Sequence, residues 1–333
     1  MHNRLLYIDI AKAIGLCMVI LSHSVYPQLM WIGIGCYVPI FYIVSGFTTS
    51  SINIAKKTKR LIGSYIIYSI ILLILYILIH FLRHESLSDI RNMIIGIFYS
   101  RYSLLPLGKI DNINFLNIEY NAPLWFLTSM FTGYLALIPI LKLRKYYWAL
   151  SLICIYIVLT WIMSHCPYLL PWSIDCAPFM AIYMYMGIKI RHTNLIKNNN
   201  LFLWSIIIIG YIVFTCLNEG VNLSVRDYGN SIILCLIAGG LGSVIILKIA
   251  EQLSKYRIGK ILGEFGKHSM TIFCLQMPLL VYTRALIHKI SILFSIEISS
   301  IATAICQLLI TIMVGYLLAV SKNKVPFLRN ITL

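Results

Sequence analysis

The residues of this chain that could do chemistry are few and come early. Asp9, Lys12 and His23 lie in RLLYIDIAKAIGLCMVILSHSVY (4–26), a stretch otherwise apolar enough to enter a membrane. On a helix turning 100° per residue, Lys12 and His23 fall about 20° apart, and Asp9 falls within about 60° of Lys12. The three polar groups therefore share one face, opposite Leu, Ile, Val and Met. An ionisable side chain inside a bilayer costs roughly 2.5–3.5 kcal/mol on insertion scales, so it turns toward a bundle interior or a wet cavity. At about 1.5 Å rise per residue, the cation and the imidazole stand roughly 16 Å apart along the axis, which describes a site reaching through part of the membrane. A neutral histidine can act as a general base or as a nucleophile. The residues alone leave those two roles open. They equally allow a plain structural one, in which Lys12 and His23 only pair with polar neighbours on other helices.

The elements that must position these residues are apolar helices. The 333 residues are 60% hydrophobic and 11% charged, far below the roughly 25% charge of a soluble domain. Continuous apolar runs of about 20 residues describe a polytopic, all-α membrane protein, and their lack of alternation argues against a β-barrel. Ten spans are expected, roughly 6–26, 32–51, 62–82, 122–141, 147–164, 172–190, 201–218, 229–248, 266–287 and 299–320. The chain is read as a single integral-membrane domain, 1–333. With the N-terminus inside, 19 of the 27 basic residues fall on inner segments and seven on outer ones, with Lys12 within the membrane. That bias places both termini in the cytoplasm. It also accounts for the net charge of +16 without nucleic acid. The first span carries no signal-peptide cleavage site and is expected to be retained. Nine scattered cysteines show no metal spacing, and no metal is expected. Free thiols are the plain reading; Cys166 and Cys176, flanking a short outer loop, are the one pair for which a disulfide is the alternative.

Beyond the first span, WIGIGCYVPIFYIVSGFTTS carries Pro39 and Ser45-Gly46, which packing alone can explain. KKTKRLIGSY puts Lys56, Lys57, Lys59 and Arg60 just inside, either as an orientation signal touching anionic lipid or as a cationic mouth for a phosphorylated ligand. Residues 83–121 form the one long loop, on the outer side. It holds an amphipathic helix over Asp89–Ser100 and then Asp111, Glu119 and Tyr120, a mixture that suits carbohydrate or an interfacial helix equally. Trp125 in NAPLWFLTSMF is either an interfacial belt tryptophan or a lid over a central cavity. HCPYLLPWSIDCAP, with Asp175, is a rigid outer turn. IGKILGEFGKHSM reads as turn chemistry before a helix, with a phosphate-binding amide nest as the functional alternative. Gln276 and Arg284 are expected to face the bundle interior.

These motifs together resemble the integral-membrane acyltransferase 3 family, especially its polysaccharide O-acetyltransferase members. Asp9, Lys12 and His23 are similar to its first-span pattern, IFYIVSGF to its second-span signature, and KRLIGSY to its basic inner loop. PLWFL resembles its fourth-span motif, and GKHSMTIFCLQMPLL a late-helix motif. The similarity runs in order through nearly the whole chain. Lys12 stands where many members have arginine, Gln276 where histidine is common, and Gly63-Ser64 where a proline is frequent. The histidine's acid/base role is therefore not carried over to Gln276.

The resemblance implies an enzyme of a bacterial inner membrane that moves acetyl from cytoplasmic acetyl-CoA to a hydroxyl of a cell-surface glycan. The acceptor would be an O-antigen, a capsule or a lipid-linked repeat unit. In that reading His23 is the base or acyl carrier, with Asp9 and Lys12 in the same catalytic group. Lys12, Lys57, Lys59 and Arg60 hold the donor, and Ser45, Trp125, Glu119 and Tyr120 meet the acceptor. The partners are the saccharide acceptor and membrane lipids, with homo-oligomerisation left open. Competing classes are a glycan or anion transporter, since intramembrane charges also mark transport paths, and a sensory or structural protein whose polar stripe only packs helices.

Overall fold

A computed structural model describes residues 5–31, 33, 35–84, 86–87, 90–101, 104 and 122–322. These residues form helices and turns without a strand, apart from one isolated bridge between Asn222 and Asp227. The helices are α1 (Leu6–Ser22), α2 (Pro39–Phe47), α3 (Ile54–Lys57), α4 (Gly63–Leu82), α5 (Ile90–Tyr99), α6 (Trp125–Lys142) and α7 (Tyr146–Ser164). They continue with α8 (Ala177–Arg191), α9 (Leu201–Leu217), α10 (Ile232–Leu253), α11 (Arg257–Lys267), α12 (Ser269–Phe294) and α13 (Ser300–Lys322).

Each expected span contains a helix. Six stretches among the described residues are long and apolar enough to cross a membrane: Ile54–Leu82, Trp125–Lys142, Tyr146–Ser164, Ile232–Leu253, Ser269–Phe294 and Ser300–Ser321. The others are shorter. The second differs most from expectation, because only Pro39–Phe47 is α-helical and turns precede it. Pro39 opens that helix instead of kinking it, since a proline lacks the N–H that the first turn leaves unpaired anyway. The basic stretch is no loop. A π-helical turn at Thr58–Ile62 joins α3 to α4 in one continuous helical run. The expected outer amphipathic helix is present as α5, with Met93 and Gly96 buried.

Glycines set how closely the helices meet. IGKILGEFGK is not a turn but α11 itself, with Gly259, Gly263 and Gly266 buried along one face against α1. A Cβ on Gly266 would overlap the backbone carbonyl of Asp9. The amide-nest reading fails for the same reason, because the glycines serve helix packing of the small-residue kind. α2 and α8 cross in the same way. A Cβ on Gly46 would strike the carbonyl of Met184, and one on Gly187 that of Ile43. Around these contacts lies a core of Ile10, Leu16, Ile40, Tyr42, Phe179 and Tyr183, each 0–1% exposed.

Gln276 is fully buried, as its intramembrane position led one to expect, with no hydrogen-bond partner for either amide atom among the described residues. Arg284, expected inside, is instead exposed, its position falling on the outer face of α12. The nine cysteines are free, Cys166 and Cys176 included.

A Gly266→Ala substitution should force α11 away from α1 and lower stability by at least about 1–3 kcal/mol, the usual cost of overpacking. A thermal melt of the detergent-solubilised protein checks this; an unchanged midpoint would show that the helices can part without cost.

Candidate functional site

Five helical segments converge on one cavity of about 150 Å³. α1 supplies Lys12 and α2 supplies Phe41, Ser45 and Thr48; the α3–α4 run supplies Lys57, Arg60 and Leu61. α6 adds Phe126, Met130 and Tyr134, and the α11–α12 corner adds Lys267, Ser269 and Phe273. The lining thus holds four cations and no carboxylate among the described residues. Three phenylalanines and the neighbouring Leu and Met side chains make the rest of the wall apolar.

Each cation is held differently. Lys12 Nζ lies 3.3 Å from Asp9 Oδ1, one turn back on α1. The Asp9 side chain is 2% exposed and that of Lys12 24%, so the carboxylate is sealed while the ammonium reaches the cavity. Such an i, i+3 pair fixes where the ammonium points. Lys57 Nζ donates to the Tyr134 hydroxyl at 2.6 Å and sits 3.8 Å from the centre of its ring, a cation–π contact as well as a hydrogen bond. Lys267, on the exposed rim, pairs with Glu264 at 2.5 Å. Arg60 is exposed and marks the cavity's solvent side. Lys59, two residues beyond Lys57, is exposed and not among the lining residues.

Of the residues singled out in the sequence, the structure gathers Lys12, Ser45, Lys57 and Arg60 around this cavity, with Asp9 directly behind Lys12. It does not bring His23 into the same lining. The regular helix stops at Ser22, and His23 follows as its exposed C-terminal cap. Its Nδ1 is 2.8 Å from the Val19 carbonyl oxygen. A carbonyl can only accept, so Nδ1 carries the hydrogen, and in the neutral ring Nε2 keeps the lone pair. Trp125 is 9% exposed, which removes the belt reading. It touches the cavity only indirectly, edge-on to Phe126 at 6.4 Å. Glu119 and Tyr120 lie outside the described residues.

Two features escaped the sequence reading. Tyr134 was one tyrosine in an apolar span, with no spacing to mark it. The other is a buried clasp at the far end of α6 and α8. Asp175 there takes Arg101 on Oδ1 and lies 3.1 Å from Arg226 Nε on Oδ2. The Arg226 contact is close enough to pair charges but misaligned for a hydrogen bond. Arg101 also donates to the carbonyls of Leu170 (3.1 Å) and Ser224 (2.7 Å), and Arg226 to those of Met163 and Cys166. Burial opposes the charge on Arg101, but Cys176 and Asp175 outweigh it and hold the guanidinium above its ordinary pKa. The clasp ties three loops together and holds Trp172 and Ser173 in left-handed backbone (φ 56° and 57°), a conformation costing of order 1–3 kcal/mol per non-glycine residue. Its one legible trace is Asp175 itself, an aspartate in a short proline-rich turn.

A helical membrane protein with a cationic-mouthed, aromatic-walled cavity is the class that this geometry defines. The model of a family described as an acyltransferase domain matches residues 5–320, nearly the whole chain. The chain belongs to that family, acyltransferase 3, and its activity is accordingly that of a membrane acyltransferase. No curated protein and no solved structure matches it.

Asp175→Asn should leave two buried guanidiniums without a counter-charge and cost about 3–5 kcal/mol. Thermal melts of that variant and of Arg101→Lys, which loses the planar fork, check the clasp; wild-type midpoints in both would contradict it.

Proposed function

We propose that the protein transfers acetyl from acetyl-CoA, which enters at the basic end of the bundle, to a hydroxyl of a cell-surface glycan at the other end. The basic end would face the cytoplasm, as the distribution of cations along the sequence indicates. The observation that carries this reading is the cavity itself, with four cations in its lining, no carboxylate among the described residues and an apolar wall. That combination suits a ligand with a polyanionic head and a slender, mostly uncharged arm, which is the shape of an acyl-CoA. Lys12, Arg60 and Lys267 would meet the phosphates as charge-assisted donors. The arm would run between Phe126 and Phe273 toward the far end of α1.

In the transfer step, His23 Nε2 takes the proton of the acceptor hydroxyl while that oxygen attacks the thioester carbonyl. The new C–O bond forms, the C–S bond breaks, and CoA departs as thiolate. In the two-step form His23 Nε2 itself takes the acyl group and passes it on. The hydrogen bond from Nδ1 to Val19 supports either form, since it leaves the lone pair on Nε2. An O-antigen, capsule or lipid-linked repeat unit is the acceptor class that we favour.

Membranes containing the protein, supplied with labelled acetyl-CoA and surface polysaccharide, test this. Label should move to the glycan, and His23→Ala should cut kcat by roughly 10²–10⁴-fold, the usual worth of general-base assistance. Lys12→Ala and Arg60→Ala should mainly raise KM for acetyl-CoA. Wild-type turnover by His23→Ala would remove the histidine's role. Ion-coupled uptake without any transfer would point to a transporter instead.

A further inference from the structure

Ser45 and Tyr134, from α2 and α6, meet on the wall of the cavity in a hydroxyl–hydroxyl contact. Their protons can be counted. Lys57 has hydrogens only to give, so the Tyr134 oxygen accepts from it at 2.6 Å. The Thr49 hydroxyl gives its proton to the Ser45 carbonyl at 2.7 Å. The phenol's single proton then has three acceptors within reach: Ser45 Oγ, Thr49 Oγ1 at 3.3 Å and the Ser45 carbonyl at 3.4 Å. Ser45 Oγ is much the nearest. With the phenol donating to it, the Ser45 hydroxyl must aim its own proton elsewhere. The acceptor recorded for it is the Met130 sulfur at 3.8 Å, a weak one. The chain from Lys57 through Tyr134 thus ends in a hydroxyl with a proton to offer, on the wall of the cavity.

We propose that Lys57, Tyr134 and Ser45 form a donor relay whose last hydroxyl hydrogen-bonds a carbonyl oxygen of the pantetheine–thioester arm of the acyl donor. The proposal rests on the acyl-CoA reading and goes further by assigning these residues to the arm instead of the phosphates. The Lys57 ammonium is engaged by the phenol both at its oxygen and over its ring, so it acts as a positioning residue. The wall around Ser45 is apolar, with Val44, Phe41, Met130 and Phe126, which suits a neutral carbonyl and not a diphosphate. Charge donated through two hydroxyls strengthens the terminal hydrogen bond in a low-dielectric setting.

The test uses the full-length protein in membranes, with acetyl-CoA and with S-acetylpantetheine, which has no nucleotide or phosphate. Ser45→Ala should raise KM about tenfold on both donors, the worth of one hydrogen bond. Tyr134→Phe, which leaves that hydroxyl in place without the phenol that aims and polarises it, should raise KM by a smaller factor of about two, with kcat nearly unchanged in both. The double variant should be no worse than Ser45→Ala alone, because without the Ser45 hydroxyl the phenol has nothing to relay to. Ser45→Thr, which keeps a hydroxyl, should recover most of the loss and controls for folding. An unchanged KM in Tyr134→Phe would overturn the relay, as would additive penalties in the double variant. A penalty seen with acetyl-CoA but absent with S-acetylpantetheine would also overturn it, by placing Ser45 on a phosphate. A wild-type protein that transfers acetyl from neither donor would bring down the acyl-CoA reading itself and this inference with it. Normal wild-type transfer with an indifferent Tyr134→Phe would defeat the inference alone.

Discussion

Backbone-to-backbone contact between helices is the constraint on which the rest of this structure depends. Where Gly266 lies against the Asp9 carbonyl, no side chain separates α11 from α1, and Lys267 and Ser269 arrive beside Lys12. Where Gly46 and Gly187 let α2 and α8 cross, Ser45 is delivered to the same cavity as Tyr134 of the neighbouring α6. In a membrane, lipid tails are as apolar as leucine, so close van der Waals packing of this kind replaces the hydrophobic effect as the force that draws helices together. The cavity is therefore a by-product of glycine placement, and its cations are fixed by backbone geometry before any ligand arrives.

Charge is treated in opposite ways at the two ends of the bundle. In the clasp, Arg101, Asp175 and Arg226 are 1–4% exposed, and the guanidiniums spend their remaining donors on backbone carbonyls. Such an arrangement contributes shape and specificity more than net stability, since desolvating three charges offsets much of their attraction. Around the cavity the cations are steadied without being neutralised as a group. Asp9 aims Lys12, Tyr134 anchors Lys57 and Glu264 braces Lys267 at the rim. A preorganised cluster of like charges in a partly dry site attracts anions strongly, because little reorganisation is needed when the anion arrives. The one end holds loops; the other leaves its cations facing an open cavity.

Much of this was legible in the chain. The helical class followed from uninterrupted apolar runs, and the grouping of Lys12, Lys57 and Arg60 was expected from the resemblance, whereas Ser45, expected with the acceptor residues, lines the same cavity as the cations. What was not legible depended on distance in space. The glycines of α11 read as turn residues because glycine has the same local signature in a turn and in a close helix crossing. Lys57 and Lys59 look alike in KKTKR, yet two positions apart on one continuous helical run they face different ways, one into the cavity and the other away from it. The helical wheel that aligned Lys12 with His23 assumed a regular helix through residue 23, whereas α1 ends at Ser22. Tyr134 gave no signal at all, since its importance comes from a lysine 77 positions away.

On the proposed reading, the cavity between Lys12 and Tyr134 receives the acyl donor, and a structure of the detergent-solubilised protein determined with acetyl-CoA bound would show whether it does. Density for the pantetheine arm is expected between Phe126 and Phe273, with the phosphates on Lys12, Arg60 and Lys267. Acetyl-CoA bound at another surface, with this cavity filled only by solvent or lipid, would contradict it.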